Sequence, residues 1–224
     1  KGKKKPSTLT ALANFIYEVG ILNRTPRSGL WLLGSGSQSV AEHLLRTTYI
    51  AYMLCYLIPE AKKERVIFMS LVHDLGEGRT SDLNYVHQRY GRLAEAHAID
   101  DIAAELPFGD ELRDAYREEQ ARETLEARVV KDADTLEWVA TLREEEVKGN
   151  LKAKNWIKIG LKRLKTDAGR AVGKQLLAVH PDTWWFSIHD KWFVDRGAAH
   201  EQWRHASHTE KIAPTKNRSG SQSP

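Results

Sequence analysis

A histidine and an aspartate stand side by side at positions 73 and 74, at the end of the apolar run Phe68-Met69-Ser70-Leu71-Val72. A carboxylate in apolar surroundings is costly unless it is paired or coordinates a metal. Asp134 repeats the pattern, with Val129 and Val130 before it and Leu136 and Trp138 after it, and His43 lies in the middle of a third apolar stretch. Brought together, these four side chains offer two imidazole nitrogens and two carboxylate oxygens. That mixed set suits one divalent metal ion such as Mn, Fe, Co, Ni or Zn and leaves positions open for water and substrate. Any one of the four alone reads as a satisfied polar group in a core; the series points to a metal. Asp132 rivals Asp134, but on a helix the two point in different directions, so both cannot easily reach one ion.

Positioning these groups falls to helices. Gly and Pro are sparse through the middle of the 224 residues, and no alternating Val, Ile and Thr pattern appears, which predicts an all-α chain with one sizeable core. Ser7 caps a first helix that runs to about Val19. Residues 23–38, with Pro26, Gly29, Gly34 and Gly36, read as a loop. Ser39, followed three residues later by Glu42, is a capping-box pattern opening a helix over 40–57. A helix then starts at Pro59 and carries 60–75, ending or bending where Gly76 and Gly78 bracket Glu77. Residues 84–106 read as one helix stopped by Pro107, followed by helices over 109–119 and 122–147 and a C-terminal extension over 154–165, 167–179 and 181–204. Residues 1–6 and the Ser-, Thr- and Lys-rich stretch from 205 to 224 are expected to be disordered, leaving one domain over 7–204.

Composition narrows the function classes. The formal net charge of +4 is concentrated in Lys1, Lys3, Lys4 and Lys5 and in a second cluster from Lys148 to Lys165. The second cluster reads first as a solvated helix face, although it could attract phosphates. The single cysteine, Cys55, allows no disulfide within the chain and fits a reducing cytoplasm. No apolar run of about 18 residues and no signal-peptide pattern is present, so no membrane association is expected. Trp184, Trp185, Trp192 and Trp203 read as packing anchors of a late helix, and His180, His189, His200, His205 and His208 as surface or tail residues.

The motifs SVAEH (Ser39 to His43), LVHDLGE (Leu71 to Glu77) and EARVVKDADTLE (Glu126 to Glu137) occur in that order, preceded by RTPRSGLW (Arg24 to Trp31). Together, over roughly residues 8–150, the chain resembles the HD superfamily of metal-dependent phosphohydrolases, and within it the short branch that contains the 5′-deoxynucleotidases. The resemblance implies an HD-domain helical bundle, with one divalent metal on His43, His73, Asp74 and Asp134, since the family ligand is the second acid of a KDAD-like stretch. Glu77 and Asp82 then match catalytic acids that handle protons. Turn residue and helix N-cap are their respective structural readings.

Arg27 matches a phosphate-holding arginine, a role that suits a bidentate guanidinium. Trp31 matches a base-contacting tryptophan, but Leu30 separates it from Gly29 where the family has glycine and tryptophan in succession, and core packing is its competing reading. His87 and His97 are about 15 Å apart if they share one straight helix, so a mononuclear site is expected; a break between them, which Gly91 could supply, is what a second ion on these histidines would need. The implied reaction is hydrolysis of a 5′-(deoxy)nucleoside monophosphate to nucleoside and phosphate. Alternatives are a nucleoside triphosphate hydrolase or phosphodiesterase on the same site, or a binding module without turnover. A nucleotide substrate and a homodimer are the implied partners, and nucleic acid is not expected.

Overall fold

The structure, a computed structural model, describes residues 6–195. It is all-α: eleven α-helices and two short 3₁₀ turns, with no strand among the described residues. Helix α1 spans Thr8–Val19, α2 Gly29–Leu33, α3 Val40–Leu57, α4 Lys63–Val72, α5 Glu77–Thr80, α6 Tyr85–Tyr90, α7 Glu95–Glu105, α8 Gly109–Ala121, α9 Leu125–Val147, α10 Ala153–Arg163 and α11 Asp167–Ala178.

The helix starts follow side-chain chemistry. The Ser7 hydroxyl accepts from the Thr10 N–H at the head of α1, and Thr124 and Thr166 do the same for α9 and α11. The capping box opens α3: the Ser39 N–H donates to Glu42 Oε2 at 2.6 Å, and the Glu42 N–H donates to Ser39 Oγ at 3.2 Å. The stretch before it is drawn closed by two backbone bonds, from the Arg27 N–H to the Gln38 carbonyl and from the Val40 N–H to the Thr25 carbonyl, both 2.8 Å. Inside that closure the chain turns once as α2, which ends on Gly34 at φ 82, a left-handed conformation that glycine adopts without steric cost.

Helix α9 is the axis of the fold, packing against α3, α4, α8, α10 and α11. Val129, Val130, Ala133 and Leu136 on it are fully buried against Val40 and Leu54 of α3, Val66 and Met69 of α4, and Leu112 of α8. Each such Val, Leu or Met side chain contributes about 1.5–3 kcal/mol relative to exposure. Cys55 belongs to this cluster, where burial pushes its thiol pKa up and leaves it a packing residue. A second cluster joins Leu30 and Leu33 of α2 to Val139 and Leu142 of α9 and Ala153 and Ile157 of α10.

Several boundaries differ from the sequence reading. Pro59 and Glu60 lie in a turn, and the following helix starts at Lys63. The helix expected over 84–106 is two: α6 buries no residue, so nothing holds the chain helical through Gly91, which is extended, whereas α7 buries Ala98, Ile99, Ile102 and Ala103.

Residues 181–195 form a unit of their own. There the expected helix is replaced by turns and a 3₁₀ turn over Lys191–Phe193. Local bonds from the His189 N–H to Ser187 Oγ and from the Trp192 N–H to Asp190 Oδ1 compete with helical bonding. Trp185, Phe186, Trp192 and Phe193 pack on one another at centroid distances of 4.9–6.0 Å. The expectations for residues 1–5 and 196–224, including Trp203, His200, His205 and His208, lie outside the described residues. Among the described residues no helix is long and apolar enough to cross a membrane.

Candidate active site

Three helices converge on one point. His43 comes from the first turn of α3, His73 and Asp74 from the end of α4, and Asp134 from the middle of α9. At the end of α4 the backbone tightens into i→i−3 bonds, from Leu75 to Val72 and from Glu77 to Asp74, and this turns His73 and Asp74 out of the regular helix. One ligand atom from each of His43, His73 and Asp134 lies within 4.8 Å of the others. Asp74 adjoins the group: its Oδ2 is 3.5 Å from His43 Nε2 and 3.4 Å from His73 Nε2. His43 Nε2 is 3.4 Å from Asp134 Oδ1.

The hydrogen bonds on the far side of each ring fix what its inner nitrogen can do. His73 Nδ1 faces the Ser70 carbonyl at 2.8 Å. A carbonyl only accepts, so Nδ1 carries the proton and Nε2 of the neutral ring keeps its lone pair. That Nε2 is buried and has no hydrogen-bond partner. His43 Nδ1 faces Glu137 Oε2 at 2.6 Å. Burial works to raise the Glu137 pKa, but the bond to His43 and the charges of His43 and Arg46 outweigh it and hold the carboxyl down at about 2. Glu137 is therefore the acceptor for the His43 Nδ1–H; burial and Arg27 oppose a charge on the ring, but its bonds to Asp134 and Glu137 raise its pKa, so Nε2 turns a lone pair inward once a cation replaces its proton. Two inward imidazole nitrogens beside two carboxylates fit a divalent ion of the transition series, with a carboxylate–histidine partner of the kind that orients metal ligands.

Asp132 faces elsewhere. It is fully buried, and its oxygens accept from the Lys165 N–H at 2.6 Å, the Thr166 N–H at 2.7 Å and the Thr166 hydroxyl at 2.7 Å. It ties the α10–α11 turn to α9.

Asp74 and Asp134 of this group open onto a cleft of about 250 Å³, lined also by Arg27, Glu77, Asp82 and Lys131. Arg27 donates to Asp74 Oδ2 at 3.0 Å. Burial works against its charge, but Asp74, Asp82, Asp134 and Glu77 around it raise its pKa further, so it is permanently cationic. Lys131 donates to Asp134 Oδ2 at 2.5 Å. Asp82 accepts from the Ser28 N–H at 2.7 Å, and its carbonyl accepts from the Ser28 hydroxyl at 2.8 Å, which pins the Arg27 loop over the site. The N-cap of α6 is Asn84, not Asp82.

Glu77 begins α5. It is 8% exposed, with a buried Oε2 that has no partner. Burial, with Asp74 and Asp82 adding to it, pushes its pKa up to about 10. It is thus no exposed turn residue.

Trp31 does not line this cleft. Leu30 takes the inward position of α2, and one residue further round Trp31 is 61% exposed, edge-on to His87 at 6.4 Å. His87 and His97 lie on separate helices, α6 and α7, and neither joins the metal-capable group.

Sequence reasoning passed over Glu137, Arg46 and Lys131. Each had a signal at helical spacing: Arg46 three residues after His43, and Lys131 and Glu137 three before and three after Asp134. Arg46 donates to Glu137 Oε1 at 2.7 Å and to Glu144 at 2.6 Å.

Comparison with known proteins puts this architecture among the metal-dependent phosphohydrolases. The HD domain family matches residues 19–175, and the chain belongs to it. It is 31% identical over 151 residues to the 5′-deoxynucleotidase hdd1 of Schizosaccharomyces pombe, covering 62% of this chain and 75% of that protein. It is 27% identical over 143 residues to the 5′-deoxynucleotidase HDDC2 of Homo sapiens, covering 61% and 69%. Among solved structures, a conserved hypothetical protein from Pyrococcus furiosus superposes with a TM-score of 0.65 at 26% identity, over 75% of this chain and 99% of that one. A predicted metal-dependent phosphohydrolase from Magnetospirillum magnetotacticum MS-1 shares the fold with a TM-score of 0.62 at 23% identity, over 78% and 95%.

Proposed function

We propose that the protein hydrolyses the phosphate ester of a deoxynucleoside 5′-monophosphate, releasing nucleoside and orthophosphate, with one divalent metal held by His43, His73, Asp74 and Asp134. The observation that carries this is the pair of Nε2 atoms set between Asp74 and Asp134, two carboxylates that line a cleft also holding a half-buried arginine. Support for the substrate comes from the 5′-deoxynucleotidase relatives. When bound, a divalent ion at such a site polarises phosphoryl oxygens and makes water a better nucleophile at neutral pH.

The chain's own residues do the rest. Arg27 exchanges its bond to Asp74 for phosphate oxygens and stabilises the charge that builds on them. A water oxygen attacks phosphorus and the bond to the 5′ oxygen breaks; one proton leaves the water and one reaches the departing alkoxide. Glu77 is within the cleft lining and holds a proton readily, so it is the group that exchanges protons with water. Asp82, its own pKa raised chiefly by burial, assists at the leaving-group side while holding the Arg27 loop through Ser28.

A phosphate-release screen over nucleoside mono-, di- and triphosphates, with Mn, Co, Mg and Zn supplied separately, tests the reading. Orthophosphate from a monophosphate is the expected product, and Asp74→Ala is expected to lose both metal binding and turnover. Full activity in that variant would sink the proposal. Release of pyrophosphate or triphosphate would favour a second reading, to which Lys131 and Arg163 in the cleft lining lend some weight.

The functional unit in this reading is a homodimer. The surface of α3 supports it: Leu45, Tyr49, Tyr52 and Tyr56, at spacings of four, three and four, are all more than half exposed. The buried free thiol of Cys55 suits the reducing cytoplasm as its compartment.

A further inference from the structure

A second cavity, of about 450 Å³, adjoins the catalytic cleft. Tyr85, Trp138 and Arg163 line both, so the two are continuous along one wall. The character of the lining changes across it. The cleft is dominated by charge, whereas the annex is walled by Tyr85, Trp138 and Trp156, with Arg89 and Arg163 and no carboxylate in its lining.

Trp138 stands one turn beyond Asp134 on α9, so its ring leads away from the metal-capable group on the same helix face. It lies 6.2 Å from the Trp156 ring, and Trp156 lies 6.1 Å from Tyr85. Arg163 holds Tyr85 in place, donating to its hydroxyl at 2.9 Å with the guanidinium 5.2 Å above the ring.

Resting on the phosphomonoesterase reading above, we infer that this annex seats the nucleobase of the substrate, with Tyr85, Trp138 and Trp156 as its specificity-determining residues in place of Trp31. A flat heterocycle can stack against aromatic walls, and its ring nitrogens and carbonyls can accept from the two arginines. An alkyl or acyl group would bury those guanidinium donors without acceptors, at a cost. A sugar phosphate without a base reaches the cleft and leaves the annex unused. Trp156 and Arg163 of α10 thereby gain a role that their spacing alone did not indicate.

The test uses the full metal-loaded chain with deoxyadenosine 5′-monophosphate and with 2-deoxyribose 5-phosphate. The variants are Trp156→Ala, Trp156→Phe and Tyr85→Ala, the last at a position exposed enough to spare the fold. The wild type is expected to favour the nucleotide. Each alanine variant is expected to lower the nucleotide-to-sugar ratio of kcat/KM by about tenfold, mainly through KM, the worth of one lost base–aromatic contact. Phenylalanine at 156 is expected to restore most of it. An unchanged ratio, or an equal fall for both substrates, would overturn the inference.

Calorimetric binding of the same two ligands separates this inference from the proposed reaction. Base-dependent binding that weakens in the alanine variants sustains the annex even where no phosphate is released. Equal binding of nucleotide and sugar phosphate removes the annex even where hydrolysis proceeds.

Discussion

His43 has its outer nitrogen committed to Glu137, and Glu137 is itself held by Arg46 and by Gln38 at 2.6 Å. Neutralising that carboxylate removes what makes the imidazole a better donor toward a cation. Glu137→Gln is expected to weaken metal affinity about 10- to 100-fold, read by titrating Mn or Co into the metal-stripped protein. Glu77 predicts the opposite balance between stability and activity. Its folded pKa of about 10 lies above its ordinary value, so folding favours the protonated acid. Its cost is absent at low pH and grows as pH rises from about 4.5 toward 10. The metal-stripped Glu77→Gln protein should therefore be more stable than the wild type at pH 8, by upwards of about 2 kcal/mol, and nearly equal to it at pH 4. Thermal melts at the two pH values check this, while turnover by the loaded variant is expected to collapse.

At the scale of elements, Asp132 and Asp134 divide two tasks between two faces of α9. Asp132→Ala is expected to cost about 2–4 kcal/mol through its lost charge-assisted bonds to the α10–α11 turn, with metal affinity unchanged. Denaturant melts and metal titration on the same variant measure both; a joint loss would mean the two faces are coupled. Gly169 belongs to the same joint, since a Cβ there would collide with the Asp132 carboxylate.

Much at this scale was legible in the sequence. The Ser39–Glu42 cap, the buried run into His73 and the apolar frame of α9 are local patterns with local causes. The break between α6 and α7 was only half legible: Gly91 marks where it can fall, but that it does fall there depends on α6 finding nothing to bury against. Nor was Trp31: whether residue 30 or 31 turns inward is decided by the pocket between α9 and α10, which no window of sequence contains. Glu137 was hidden for the same reason, being an ordinary helix acid until His43 and Arg46 meet it across nearly a hundred residues.

At the scale of the whole molecule, an exposed apolar strip among the described residues runs along the outer face of α3. Its Leu45, Tyr49, Tyr52 and Tyr56 occupy the spacing of a helix–helix seam, while the opposite face of the same helix carries His43. Tyr49→Glu combined with Tyr56→Glu is expected to convert a dimer to monomer in sedimentation equilibrium; a wild type that is already monomeric at micromolar concentration would refute the homodimer. Because the seam and the metal-capable histidine share one rigid helix, activity of the monomeric variant also reports whether pairing is needed for the site's alignment.

The contact between Arg27 and Asp74 makes a promise of its own. One carboxylate oxygen serves a guanidinium that, in the proposed reaction, is wanted elsewhere. Whatever positive charge takes over Asp74 releases the guanidinium for an anion, and an anion that captures the guanidinium frees Asp74 in return. Thermodynamic reciprocity then requires each to tighten the other by the same factor, so cation and phosphoester should be held together far better than either is held singly.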